Sequence, residues 1–350
     1  MKKQIISTIK EQANDLKIDE IRILDAGLYF IISALLCYNE PEKPIPDTCK
    51  ELESGKTITG NIASYTSKNY YKILYKKLAK LAKKIKPVMQ DSLYQNNTVS
   101  VNGRLPDKKI AAITNLGQYC KNSLIYHPDF GTQFILGEIV FSKQAKFSPA
   151  HFASIINNLF ETVRPGNKCH DCQKCIQACP TSAITESYKI DKHKCLQHLS
   201  SVFCSFGPEI LKIWGRKLYG CTICQDVCPL NKKVKTVRHK ANYGFVGKQY
   251  SLKKIMQTPL IEQRKLFKGN QMGASWVSQK AIRRNAIMAL GTYKSDKAAL
   301  ILQKALLSEP DEIKPYIIQA LKKTDNENNK IFLENQKQNT ELTDYIRKLI

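Results

Sequence analysis

"CHDCQKCIQACP", Cys169–Pro180, places four cysteines and a proline in one short stretch. The spacing C-x2-C-x2-C-x3-C-P is that of the bacterial ferredoxin run. In that run three thiolates hold three iron corners of one iron–sulfide cube, and the fourth ligates a different cluster. The stretch therefore predicts a second site. "CTICQDVCP" supplies it, with Cys221, Cys224, Cys228 and then Pro229. This is the tail of the same motif, and Leu218 stands where its first cysteine would fall. The missing ligand must come from elsewhere, and Cys195 in "DKHKCLQHL" is the natural candidate. The resulting assignment is Cys169, Cys172, Cys175 and Cys228 around one [4Fe–4S] cluster, and Cys179, Cys195, Cys221 and Cys224 around the other.

Structural zinc also uses C-x2-C pairs. Zinc explains neither the three-thiol run, nor the two prolines, nor the crossed fourth ligand. Crossed ligation keeps the two clusters close and makes a short electron wire, which needs something to reduce. Cys37, Cys49, Cys120 and Cys204 fit neither motif. Cys37, Cys49 and Cys204 are read as small buried hydrophobes.

The rest of the chain sets the context. Its 350 residues are 43 % hydrophobic, ample for more than one core. Lys and Arg total 55 against 30 Asp and Glu, a formal charge of +25. Such an excess attracts polyanions, nucleic acid foremost, although a generally lysine-rich proteome would give the same drift. The best apolar run, "AGLYFIISALLCY" (Ala26–Tyr38), is too short to span a membrane. The N-terminal segment carries Glu11, Asp15 and Glu20 and lacks a long apolar stretch, against a signal peptide. A cytoplasmic protein is expected, and there clustered cysteines hold metal rather than form disulfides.

The fold class expected is α+β and multidomain. Residues 1–160 read as an α/β domain: a helical pattern in "QIISTIKEQANDLKI", buried strands in "EIRILDAGLYFIISALLCY", and a basic amphipathic helix in "NYYKILYKKLAKLAKKIK". "FGTQFILGEIVFS" reads as a strand with Gly131 and Gly137, where backbone could approach a flat ligand or form a turn and a bulge. Residues 161–235 form the ferredoxin-like double-cluster module. Residues 236–350 read as helical. There Ile287 and Ile318, Ala289 and Ala320, and Leu290 and Leu321 recur at one spacing, suggesting HEAT-like helix pairs packed on the rest.

This order of parts resembles the epoxyqueuosine reductase family. "GNIASYTSKNYYKILYKKLAKLA" is similar to the family's glycine–isoleucine–alanine–x–tyrosine segment and the helix after it. "NLGQYCKNSLIYHPDFGTQFILGEI" resembles its glycine–leucine–glycine–x–x–glycine–lysine–asparagine–threonine run and the strand that follows. "LYGCTICQDVCPLNKK" and "FKGN…AIRRNAIMALG" match later signatures. The resemblance implies cobalamin in the N-terminal domain beside one cluster, with electrons passing through the clusters to cobalt. It implies reduction of epoxyqueuosine to queuosine in a tRNA anticodon stem-loop, and an external electron donor of flavodoxin or ferredoxin type. By the same resemblance Lys121, Asn122, Ser123, Gly131, Gly137 and Glu138 would contact cobalamin. A tRNA would lie over the ferredoxin module and the C-terminal helices, touching Arg283, Arg284 and the lysines of "NKKVK". A monomer with no membrane association is expected.

The chain also departs from the family's pattern. The family has an aspartate that is thought to donate a proton. Its position falls here on Val101, Asn102 or Gly103, none of which carries a carboxyl. The motif's tryptophan and second glycine are replaced by Gln118 and Cys120, and an arginine expected near Tyr65 is absent. Asp107, Tyr119 and Cys120 are the candidate replacement acids. The alternatives are a diverged iron–sulfur and corrinoid reductase of another substrate, an electron-transfer protein, and a zinc-stabilised nucleic-acid-binding module.

Overall fold

The computed structural model describes residues 2–41, 57–94, 96–162, 167–324 and 327–350; Cys49 lies outside them. Its strands are β1 (Glu20–Asp25), β2 (Tyr29–Cys37), β3 (Thr59–Ile62), β4 (Asn96–Ser100), β5 (Gln118–Tyr119), β6 (Ile125–Tyr126), β7 (Phe134–Ser142), β8 (Ile184–Glu186), β9 (Lys189–Ile190), β10 (Lys217–Tyr219) and β11 (Gln249–Ser251). The chain groups into two compact units. One comprises residues 1–42, 69–191 and 223–243, the other residues 43–68, 192–222 and 244–350.

In the first unit four strands form a sheet in the order β1-β2-β7-β4. Every pairing is antiparallel. This part is therefore an α+β sheet, and the α/β expectation for it is corrected on that point. The cause lies in the short β1–β2 connection, which makes a hairpin, whereas a parallel pair needs a long crossover. β2 is buried along its whole length, which suits its continuous Tyr-Phe-Ile-Ile run. Helices α1 (Lys2–Asp15) and α2 (Tyr70–Gln90) pack together. α2 starts where the Asn69 side chain accepts a hydrogen bond from the Lys72 amide at 2.9 Å, satisfying one of the amides a helix start leaves open. It buries Ile73, Leu74, Leu78, Leu81 and Ile85 and turns most of its lysines outward, as the amphipathic pattern predicts. Gly137 makes this packing possible. A Cβ there would lie 2.7 Å from Val101 Cγ2 and 2.9 Å from Leu78 Cδ1. Helices α3 (Asp107–Ile113) and α4 (Pro149–Glu161) close one core, in which Ile110, Phe152 and Ile156 meet Tyr29, Ile31 and Val140.

The second unit has a three-stranded sheet, β10-β3-β11, with β10 parallel and β11 antiparallel to β3. Helix Gln279–Leu290 packs on it. Helices Asp296–Ser308, Lys314–Lys323 and Glu327–Gln336 follow, neighbour on neighbour. The residues that recur in the sequence, Ile287, Ala289, Leu290, Ile318, Ala320 and Leu321, are all buried in this core. Gly291 lets two of these helices approach closely, since a Cβ there would lie 2.8 Å from Ala320 Cβ. No helix among the described residues is long and apolar enough to cross a membrane.

Candidate redox centre and adjoining cavity

The first cysteine quartet belongs to the first unit. Cys169 ends a tight turn over Asn167–Cys169, and His170 takes a left-handed conformation at φ 33°. The Cys172 amide donates to the Cys169 carbonyl at 2.8 Å, folding the loop back on itself. Helix α5 (Lys174–Gln177) carries Cys175. It packs on helix Ile223–Asp226, which leads into Cys228. Burial pushes the Cys175 thiol up, and Cys169, Cys228 and Cys172 add to the effect. Cys228 is pushed up by burial and by the same neighbours, Cys169 and Cys172. The four side chains thus sense one another, and none of them is in a disulfide. Cys228 thus lies beside the first cysteine loop.

Of the second quartet, Cys179 and Cys224 lie in the first unit, and Cys195 and Cys221 in the second. Burial acts against ionisation of Cys179. Its thiol nevertheless lies below the ordinary range, because the Thr181 hydroxyl and the amides of Thr181, Ala183 and Ile184 point at the sulfur. The Ala183 amide donates to it at 3.3 Å. Such donors favour the thiolate, the form that binds iron. In the second unit Cys195 stands just before helix Leu196–Leu199, in extended backbone and without a side-chain cap bond. Gly220, just before Cys221, donates to the Ser200 hydroxyl at 2.9 Å and ties these two segments together. Among the described residues no group of three or more His, Cys, Asp or Glu side chains is drawn together tightly enough to hold a single ion.

A short hairpin, β5–β6, links the first quartet to a cavity. At its turn Cys120 is buried against Cys169, within reach of a thiol–thiol hydrogen bond; burial and then the neighbouring Cys169 push its thiol up. Next to it Lys121 Nζ donates to the His170 carbonyl at 2.7 Å, and the Tyr188 amide donates to the Lys121 carbonyl at 3.0 Å. Asn122 is buried and accepts from the Leu124 amide at 3.2 Å. The Ser123 carbonyl accepts from Lys108 Nζ at 2.6 Å. The expected cofactor loop is therefore clamped between the first cysteine loop and α3. The same hairpin presents Tyr119, Leu124 and Ile125 to a cavity of about 450 Å³. Opposite them stand Tyr71, Asp107 and Phe134.

Asp107 and Glu138 carry the polar character of this region. Glu138 is fully buried in the middle of β7, paired across the sheet with Ser33 on β2 and Ser100 on β4. Among the described residues neither of its oxygens meets a donor, and neither does Asp107 Oδ1. The two carboxyls lie within hydrogen-bonding reach of each other. Burial pushes Glu138 well above the carboxylate range, and the charge of Asp107 pushes it further. Burial also raises Asp107 to about 6, opposed by the amides of Asn102 and Asp107, the Lys108 charge and the Glu138 hydrogen bond. The Asn102 amide donates to Asp107 Oδ2 at 3.0 Å. Tyr71 is raised to about 12 by burial and by Asp107. Tyr119, also raised to about 12 by burial, packs edge-on against Phe160.

The two glycines of the expected cofactor segment face the chain itself. Beside the contacts of Gly137 given above, a Cβ on Gly131 would lie 2.1 Å from Asn231 Oδ1 and 2.7 Å from Val234 Cγ1. Arg283 and Arg284 are corrected outright: they are 1 % and 0 % exposed and cannot reach phosphates. Arg283 donates to the carbonyls of Ile255 and Thr258 and pairs with Glu309 at 3.5 Å. Arg284 donates to the carbonyls of Leu199, Val202 and Cys204, and its guanidinium stacks 3.9 Å from the Phe206 ring centroid. Both sit on a helix buried on every side, so their cations are used inside the unit. Cys37 is buried as expected, and Cys204 is only partly buried. The partnership of Glu138 with Asp107 escaped the sequence reading, although one signal was present: Glu138 is the lone charge in the apolar run of β7.

Comparison with known proteins agrees with this geometry. Residues 168–231 match the family model of a 4Fe-4S double cluster binding domain. The chain is 28 % identical over 247 residues to the epoxyqueuosine reductase of Bacillus subtilis, an alignment covering 69 % of this chain and 58 % of that protein. It is 28 % identical to the Bacillus anthracis epoxyqueuosine reductase, over 83 % of this chain and 70 % of that one. The first of these alignments thus spans less than two thirds of the relative's own length. In structure the chain superposes on epoxyqueuosine reductase bound to an epoxyqueuosine-modified tRNA stem loop with a TM-score of 0.78 and 21 % identity, covering 99 % of this chain and 96 % of that one. It superposes on the Bacillus subtilis enzyme, captured with its catalytic aspartate loop swung out of the active site, with a TM-score of 0.75 and 21 % identity, over 99 % and 97 %. By sequence and fold together the chain is related to the epoxyqueuosine reductases.

Proposed function

We propose that this relative of the epoxyqueuosine reductases reduces epoxyqueuosine to queuosine in a tRNA anticodon stem-loop, with cobalamin as cofactor and two [4Fe–4S] clusters as its electron supply. The observation that carries the reading is the β5–β6 hairpin. Its turn touches the Cys169 loop, and its sides line a cavity that holds a carboxyl acid. A redox centre and a proton source thus meet at one short piece of backbone.

The clusters supply single electrons when bound. Cys169, Cys172, Cys175 and Cys228 would hold one cluster and Cys179, Cys195, Cys221 and Cys224 the other. The thiol set fits, with Cys228 returning to the first loop and amides aimed at Cys179. Cobalamin would supply the two-electron reductant for the substrate. The cavity wall, with Leu105, Leu124, Ile125 and Phe134, suits an apolar macrocycle face. Its volume is in the range that encloses a drug-sized ligand, so part of a corrinoid would extend outside it. Lys121, Asn122 and Ser123 hold the hairpin turn in place rather than reach into the cavity. Gly131 and Gly137 would act indirectly, by permitting the packing that shapes the site. Asp107 stands at the cavity to give a proton, while Tyr119 packs as an aromatic wall and Cys120 serves the cluster side.

The work is shared in this reading among residues 1–160 for the cofactor, 161–235 for the clusters and 236–350 for helical support, HEAT-like in character. The protein would act as a cytoplasmic monomer supplied by a flavodoxin or ferredoxin. Lys232 and Lys233 are exposed and available to phosphates.

A second reading is favoured by one observation: no carboxyl stands at Val101, Asn102 or Gly103, where the family's aspartate falls. Under it the same cofactors reduce a different compound. The experiment is complementation of a strain lacking its own epoxyqueuosine reductase, read by nucleoside analysis of its tRNA. Queuosine is expected. Persistent epoxyqueuosine with intact clusters and bound cobalamin would transfer the reading to another substrate.

A further inference from the structure

We infer that Asp107 and Glu138 form a carboxyl pair holding one proton between them, and that Asp107 is the acid that protonates the oxygen leaving the epoxide. This rests on the substrate reading above. The geometry begins with a charge that cannot be carried. Glu138 is 0 % exposed, in the centre of a sheet, with Ser33 and Ser100 beside it, and among the described residues no cation acts on it. An isolated buried carboxylate is too costly to persist, so the group stays neutral. A neutral carboxyl has one O–H to donate. The acceptor within reach is Asp107, whose second oxygen already takes the Asn102 amide. Asp107 is thereby fixed with one edge toward Glu138 while it lines the cavity.

Lys109 and Tyr119 line the same cavity as Asp107. Tyr71 approaches from α2, Glu138 from β7, and Lys108 follows on its own helix with its amine turned to the Ser123 carbonyl. Lys108 favours a charged Asp107, but burial outweighs it. The pair therefore takes one proton readily and resists losing the last. That is the property wanted of an acid working near neutral pH. Deoxygenating an epoxide to an alkene takes two electrons and two protons and releases the oxygen as water. A bound, reduced corrinoid would supply the electrons. Asp107 gives the first proton as a carbon–oxygen bond breaks, Glu138 keeps Asp107 oriented, and solvent restores the proton for the second transfer. Asp107 is the catalytic residue here and Glu138 a positioning residue.

The test begins with infrared titration of the anaerobically purified full-length protein. Wild type is expected to show two protonated-carboxyl bands. One persists well above the ordinary carboxylate range, and the other is lost near pH 6. Asp107→Asn removes the titrating band and leaves the other. Glu138→Gln, which keeps a donor, removes the persistent band and leaves the Asp107 midpoint in place. Glu138→Leu, which removes the donor, raises that midpoint. Absence of any protonated carboxyl in wild type at pH 7, or equal midpoints in the Leu variant and wild type, overturns the pair. Turnover of an epoxyqueuosine stem-loop should then fall as pH rises through the same midpoint, and fall roughly 100-fold or more in Asp107→Asn. Undiminished turnover in that variant overturns the acid while sparing the substrate reading. The expected bands without any epoxide turnover overturn the substrate reading and the acid's role, while the shared proton stands.

Discussion

Truncating Arg284 separates two uses of a cation. If Arg284 served a phosphate, Arg284→Ala would leave a folded protein whose nucleic-acid affinity depends less on salt, the slope falling by about 1. The structure demands the opposite. The guanidinium donates to the carbonyls of Leu199 at 2.6 Å and of Val202 and Cys204 at 3.2 Å. Each buried acceptor left without its donor costs about 1 kcal/mol or more. The stack on Phe206 contributes about 1 kcal/mol. Against this, burial holds the Arg284 cation at an ionisation point of about 10, so part of the loss is returned when the charge is removed. The net expectation is a destabilisation of about 3 kcal/mol. Trp214 gives the assay. It is fully buried and its ring stands 5.0 Å from Phe206 and 5.6 Å from the guanidinium. Anaerobic thermal unfolding followed by tryptophan emission should show a clear fall in midpoint and an altered native spectrum. The salt slope of RNA binding, measured below that midpoint, should not change. A variant of wild-type stability with a reduced salt slope would refute the buried-cage argument.

Three further outcomes follow from the same structure. Cys228→Ser should cost about four of about eight irons, removing the cluster of Cys169, Cys172 and Cys175, while Cys179→Ala should damage the other cluster; iron analysis with EPR reads both, and loss of the Cys169 cluster in Cys179→Ala would refute the crossed ligation. Gly131→Ala places a Cβ 2.1 Å from Asn231 Oδ1 in a left-handed backbone, and Asn231 closes the turn after Cys228 through its amide bond to the Cys228 carbonyl. That variant should lose iron and about 1 kcal/mol or more of stability; normal iron with weakened cobalamin binding would restore Gly131 to a cofactor contact. Lys232→Ala with Lys233→Ala should weaken binding of tRNA evenly across sequences and lower the salt slope by up to about 2, without changing the melting midpoint.

The legible parts of this protein were those whose physics is local. Four cysteines within one short stretch point to metal through their spacing alone, and the structure sets Cys228 beside that loop. The lysine-backed apolar stripe of α2 was likewise visible, since a helix exposes its pattern through spacing alone. What the sequence could not contain was the surroundings of single charged residues. Arg284 reads as a surface cation, and only the packing of Phe206, Trp214 and the carbonyls near Leu199 around its helix turns it inward. Glu138 reads as one charge in an apolar strand. Its meaning depends on α3 bringing Asp107 over the centre of an antiparallel sheet, between elements far apart in the chain. Desolvation decides the state of both groups, and desolvation is a property of the folded neighbourhood rather than of residue order.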